Sequence, residues 1–211
     1  MTPSVARELV RSGHLVRSLR LAPFATSAAA VAAYLVARLG DTHTAIGDLR
    51  ALGLLLALGS GYALDDSAAI TLQASPYGLA RRLWLRIGCA AAVVVPVWAA
   101  ILAVYLPSAP AGHRWSLGLG LTTELAAAVT VMWAVAAWAR RRGFDQPGII
   151  TTPVLLASLL LAASIPQAPM LVGFSREWTT AHQRWSGIAV AATCALVAAV
   201  RDPAARWTTR G

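Results

Sequence analysis

Lysine is absent from this chain: all 18 basic residues are Arg. A GxxxxGK[ST] phosphate loop is thereby excluded, because it needs the Lys to reach the phosphates. Charge of either sign is scarce, at 13% of residues, against about 25% in ordinary soluble domains. The two cysteines, Cys89 and Cys194, both fall inside apolar runs. They make no disulfide framework and no metal spacing, and they read as small buried apolar side chains. No GxGxxG follows a strand, no HExxH occurs, and no Ser-His-Asp grouping falls in one site. No His lies within a predicted span, which argues against a haem gripped by paired His.

What the 211 residues do contain is apolar sequence, at 57% hydrophobic and a mean hydropathy of +0.61. Long, weakly charged runs of this kind need lipid, since one soluble core could not bury them all. The net charge is +9. A basic balance can signal nucleic acid, but here the Arg residues lie between apolar segments, which points to membrane topology and to no nucleic-acid partner.

The chain is predicted to be an all-α integral membrane protein with six transmembrane helices in one domain spanning residues 1–211. Residues Thr2 to Arg20 place Val5, Leu9, Val16 and Leu19 on one side of a helix and Arg7, Arg11 and His14 on the other. That suits an amphipathic helix lying in the membrane interface; the other reading is a solvated helix preceding the first span. The spans are predicted at about Leu21–Leu39, Leu49–Leu64, Leu85–Leu106, Trp115–Trp138, Pro147–Ala163 and Trp185–Val200. Gly53, Gly59 and Gly61 in the second would let neighbours approach closely. Pro96 in the third predicts a kink. Residues 164–184 are too apolar for a loop and too broken for a straight span, so short helices dipping into the outer leaflet are expected there.

Counting Arg on alternate sides gives 13 against 5 of the 18. The larger share lies on the side of the termini, which puts both termini in the cytoplasm of a multi-pass cell-membrane protein. Trp84, Tyr105, Trp115, Trp138 and Trp185 fall near predicted span ends, as an aromatic belt requires.

Glu124 is the one acidic residue well inside a span, about 13 Å along the helix from Trp115. Intramembrane carboxylates are costly and are functional candidates by default. Glu124 is expected to line a polar path, to bind a cationic part of a substrate, or to pair with an Arg such as Arg38. The other reading is a carboxyl packed with Thr122 and Thr123. Met170, Phe174 and Trp178 in the outer broken segment complete a candidate path for an amphipathic or lipidic substrate. His43, His113 and His182 fall one in each outer loop; scattered solvated imidazoles are the expectation there, with a shared metal site the alternative.

The longest polar interruption runs from Asp65 to Arg86, DDSAAITLQASPYGLARRLWLR. Asp65 or Asp66 can cap a helix beginning at Ser67, because a carboxylate there accepts from free backbone N–H groups. Ala68, Ile70, Leu72 and Ala74 supply apolar surface, and Pro76 and Gly78 end the helix. Arg81, Arg82 and Arg86 mark the return into the membrane. The stretch reads as a docking element on the cytoplasmic side; the plainer reading is an interfacial loop.

With these features the sequence resembles an ABC transporter permease subunit, of the exporter kind with six helices per chain and a separate ATPase chain. The amphipathic amino-terminal helix, the element between the second and third spans, and the broken segment between the fifth and sixth carry the likeness. The pattern DDSAAITLQASP followed by ARRLWLR is similar to permeases of high-GC actinobacteria. The resemblance implies a coupling helix at about Asp66 to Ser75 and an interface helix at about Ser4 to Arg20. It implies ATPase docking through Asp65, Asp66, Ser67, Ile70, Leu72, Gln73, Ser75, Arg81 and Arg82. It further implies a second permease chain, ATP and Mg held by the partner ATPase, no cofactor or metal in this chain, no catalysis by this chain itself, and export as the direction. The competing class is a membrane anchor subunit or an integral-membrane enzyme using Glu124.

Overall fold

Leu- and Ala-rich stretches favour helix, and helix forms even through the β-branched runs at 93–95 and 149–152. The structure, a computed structural model, describes residues 21–37, 46–65, 79–164, 170–173, 175 and 177–201. Among them are six α-helices and no strand: α1 (Leu21–Ala37), α2 (Ile46–Gly61), α3 (Leu79–Tyr105), α4 (Arg114–Arg141), α5 (Pro147–Ala163) and α6 (Trp178–Val200). Short 3₁₀ turns follow α2 at Tyr62–Leu64 and lie between α3 and α4 at Leu106–Ser108 and Ala111–His113.

Three helical stretches are long and apolar enough to cross a membrane: Ala80–Ser108, Ala111–Arg141 and Trp178–Val200. At about 1.5 Å per residue they exceed the roughly 30 Å of a bilayer's hydrocarbon layer. The other helices, of 17, 16 and 17 residues, are shorter than that measure. The predicted interface helix at 1–20 and coupling helix at 66–75 lie outside the described residues.

Helix α4 is the central post. Its most apolar window is 61% buried, against 28% for those of α3 and α6. Helices α2, α3, α5 and α6 all pack on it, α6 most extensively. Its end is defined by a Schellman motif at Gly143, whose φ of 92° suits glycine. Gly143 N–H donates to Arg140 O at 3.0 Å and Phe144 N–H to Ala139 O at 3.1 Å. The outward faces are apolar: Leu160 is 70% exposed, Leu119 65% and Val190 65%. Exposed aliphatic surface spread over so many helices is what a lipid-facing exterior requires.

The helices pass back and forth. Arg141 reaches Ala198 O, and Asp65 reaches Gly148 N–H, so the ends of α2, α4 and α6 meet the start of α5 at one end of the bundle. Arg86 donates to Asp65 O there, which brings the start of α3 to the same end.

Several sequence expectations need correction. Cys89 and Cys194 lie on outward faces instead of in the core. Trp84, Trp115 and Trp138 are exposed as belt residues should be, but Tyr105 and Trp185 are buried. Helix α3 continues through Pro96 and begins at Leu79, before the expected Leu85. Helix α6 begins at Trp178, about two turns before the expected Trp185, so residues 178–184 are not part of a broken outer segment.

Candidate functional site

The early start of α6 has a consequence. It turns Trp178, His182 and Trp185 into successive positions of one buried helix face. That face lies along α4 where Gly120 removes a side chain. A Cβ at Gly120 would stand 2.5 Å from Trp178 Cζ2 and 2.7 Å from His182 Nε2. Real Cβ atoms do not approach so closely, so glycine is what permits the contact.

One turn further along α4, Glu124 points into the junction of α2, α4 and α6. Arg50, in the second turn of α2, meets it with a bidentate fork. Its Nε donates to Oε2 at 2.7 Å and its Nη2 to Oε1 at 2.6 Å. Planar guanidinium and carboxylate match in this geometry, which makes the pair both strong and directional. Arg50 Nη2 also donates to Val172 O at 2.8 Å, so the segment between α5 and α6 is tied in. The guanidinium carbon lies 5.9 Å from the centre of the Trp178 ring, at the reach of a cation–π contact.

His182 completes the cluster. Its Nδ1 lies 2.7 Å from Trp178 O, and its Nε2 lies 3.0 Å from Glu124 Oε1. The second approach is within ion-pair distance, yet it is out of line for a hydrogen bond, and Nε2 has no other partner. The ring centroids of His182 and Trp178 are 4.1 Å apart, tilted by 37°.

Beside Arg50 and Glu124 is a cavity of about 30 Å³, walled by Trp98, Leu121, Leu159 and Trp185 among others. That is room for a water-sized guest and no more. Trp98 Nε1 donates to Thr122 Oγ1 at 3.0 Å, fixing the α3 wall.

The candidate residues divide as follows. Glu124 and Trp178 are brought together. Met170 is near: its side chain packs on Ala127 and Trp185, and its carbonyl accepts from Trp185 Nε1 at 2.9 Å. Phe174 lies outside the described residues. The partner of Glu124 is Arg50; Arg38 is outside the described residues. His182 is not a solvated outer-loop imidazole but a buried helical one. His113 lies in the turn before α4, and His43 is outside the described residues. Among the described residues no group of three or more His, Cys, Asp or Glu is arranged to hold a metal. Arg50 and His182 were the residues missed. The spacing of Trp178, His182 and Trp185 at i, i+4 and i+7 was the signal that would have found the helix.

At the opposite end, Asp65 is only 1% exposed. Its Oδ1 accepts from Gly148 N–H at 2.7 Å, in the first turn of α5. A Cβ at Gly148 would stand 2.5 Å from the Tyr62 ring, so glycine lets the α2 terminus sit this close to α5. Arg86, also buried, donates to Asp65 O. Arg81 is exposed and Arg82 half-buried at the start of α3. Asp66, Ser67, Ile70, Leu72, Gln73 and Ser75 lie outside the described residues.

Among the described residues, an apolar exterior and three helices long and apolar enough to cross a membrane point to the class of helical membrane proteins. Compared with protein-family models, with curated proteins and with solved structures, the chain matches none.

Proposed function

We propose that the chain is the membrane-spanning permease subunit of an ATP-driven ABC transporter, with six spans and both termini in the cytoplasm. A separate ATPase chain docks on the loop at 65–86, and two permease chains pair in the membrane. The substrate is amphipathic or lipidic and is exported.

The observation that carries this reading is the way the two ends of that loop are rooted. Asp65 and Arg86 are 21 residues apart and are joined by the Arg86 to Asp65 O hydrogen bond. Asp65 is in turn bonded to the start of α5. A push on a loop rooted in this manner moves α2, α3 and α5 together and is not absorbed at a slack joint. A force-receiving loop needs that property; a passive connector does not. Arg81, at the loop's edge, is exposed. Against the enzymatic alternative stands the state of Glu124. Both of its oxygens accept from Arg50, which leaves the carboxylate poorly placed for acid–base work.

Purification from native membranes in mild detergent, with mass spectrometry of what accompanies the chain, tests the reading. A stoichiometric ATPase bearing a phosphate loop is expected, lost when residues 67–76 are scrambled with Asp65 and Arg86 kept. A chain that purifies without any nucleotide-binding partner, under conditions that preserve other membrane complexes, overturns it.

A further inference from the structure

We propose that the turn between α3 and α4 carries a binding site for one anionic phospholipid, with its phosphate on Arg114 and an acyl chain along the end of α3. The lipid is a resident ligand and not cargo, so the site goes beyond the transport reading and is tested apart from it.

The turn joins two stretches that are each long and apolar enough to cross a membrane, Ala80–Ser108 and Ala111–Arg141. It therefore lies at a face of the bilayer, at the depth of the headgroups. Between the last turns of α3 and the first turn of α4 is an open groove of about 330 Å³. Leu102, Ala103, Leu106 and Pro107 line it from one side, Arg114 and Trp115 from the other. Leu106 is seated over Gly118, where an added Cβ would stand 3.1 Å from Leu106 Cδ1. The floor of the groove is thus fixed against α4. Arg114 is the one charged residue in the lining, so the groove favours an anion.

The donors of Arg114 decide which kind of anion. A guanidinium has five N–H groups. Arg114 Nε donates to Ala109 O at 2.9 Å and Nη2 to Pro107 O at 2.7 Å. These bonds close the turn and set the plane of the guanidinium at the rim. The remaining N–H groups, both of those on Nη1 included, have no acceptor among the described residues, and no carboxylate there pairs with the charge. An oriented guanidinium with an open edge is suited to phosphate, which takes two parallel N–H···O bonds.

The rest of the groove matches the rest of a phospholipid. Trp115 is 83% exposed, and its indole N–H has no hydrogen-bond partner among the described residues. A Trp at the interface lays its ring against chains and donates its N–H to headgroup oxygens. From Pro107 inward, Leu106, Ala103 and Leu102 form an apolar wall along α3. Cation, polar handle and apolar wall follow one another from the membrane surface inward, the order of phosphate, ester and acyl chain. A free anion would use the first of these alone, and a lipid without net charge would leave Arg114 without a counter-charge.

The test reconstitutes the full chain in phosphatidylcholine vesicles with a trace of photoreactive lipid carrying a diazirine on its acyl chain, and maps the labelled residues by mass spectrometry. Labelling at residues 102–107 is read relative to Val93 and Val95, which are exposed on the same helix away from the groove. That ratio is expected to be about fivefold higher for a phosphatidylglycerol probe than for a phosphatidylcholine probe with the same chain, the preference that one Arg confers at a charged membrane surface. Arg114→Gln is expected to remove the preference. So is Ala103→Phe, which fills the groove from an exposed position and leaves Arg114 in place; it carries the test should Arg114→Gln fail to fold. Equal ratios for the two probes overturn the proposal. A preference that survives Ala103→Phe also overturns it, because the cause is then the diffuse attraction of a basic surface. So does a preference removed by millimolar inorganic phosphate but not by chloride at equal ionic strength, which makes Arg114 a site for a free anion.

Discussion

Glu124 and Asp65 are both buried carboxylates, and the bundle satisfies them differently. Glu124 lies part-way along α4, where every neighbouring backbone group is already spent within a helix. Its partners must therefore be side chains, Arg50 from α2 and His182 from α6. Asp65 lies where α5 begins, and the free N–H groups of a helix start are on offer. Gly148 N–H supplies what an opposing side chain supplies elsewhere. A carboxylate at a helix start can lean on backbone; one in the middle of a bundle must recruit charge from another helix. The first solution fixes a joint, and the second ties three helices through side chains.

The sharpest way to break this comparison is to remove one partner from the mid-bundle cluster. Glu124→Ala leaves the half-buried Arg50 without its carboxylate and is expected to cost up to about 3–5 kcal/mol, whereas Arg50→Met with Glu124→Met together recovers most of it. Unfolding in nanodiscs measures both. A single-variant loss below about 1 kcal/mol would mean that the pair is solvated, like a surface ion pair.

Gly120→Ala is next, at about 1–3 kcal/mol, because the added methyl pushes on Trp178 and His182. Asp65→Ala follows at about 0.5–2 kcal/mol, the range for losing a side-chain acceptor at a helix start. Asp65→Asn, which keeps an acceptor, should cost less, and that ordering separates backbone capping from charge pairing. Smallest is Trp98→Phe, which deletes one neutral hydrogen bond to Thr122 and should cost about 1 kcal/mol by the same unfolding measurement.

The sequence made some of this legible. Pro147 and Ala163 bound α5 as expected, since a proline at a helix start and an unbroken apolar run are local signals. Glu124 was singled out for being a charge among apolar neighbours. The start of α6 differs from the expectation of a broken outer segment over 164–184 because His182 reads as an outer-loop residue, while the helical spacing of Trp178, His182 and Trp185 continues the helix. Arg50 falls at the start of the expected second span, and nothing local in the sequence marks it as the partner of Glu124, for which Arg38 is the expectation instead. In the bundle Arg50 is half-buried and His182 buried, and both lie against Glu124.

Composition and periodicity by themselves determined the class. A chain so poor in charge and so rich in long apolar runs suits helices facing lipid, because helices satisfy their backbone locally. Which helices touch, and which charges meet, was decided by tertiary structure. Arg50 and Glu124 are 74 residues apart and have no local relation. They pair because Gly120 admits α6 against α4, because α2 packs on the same post, and because a buried charge persists only where another element brings its counter-charge.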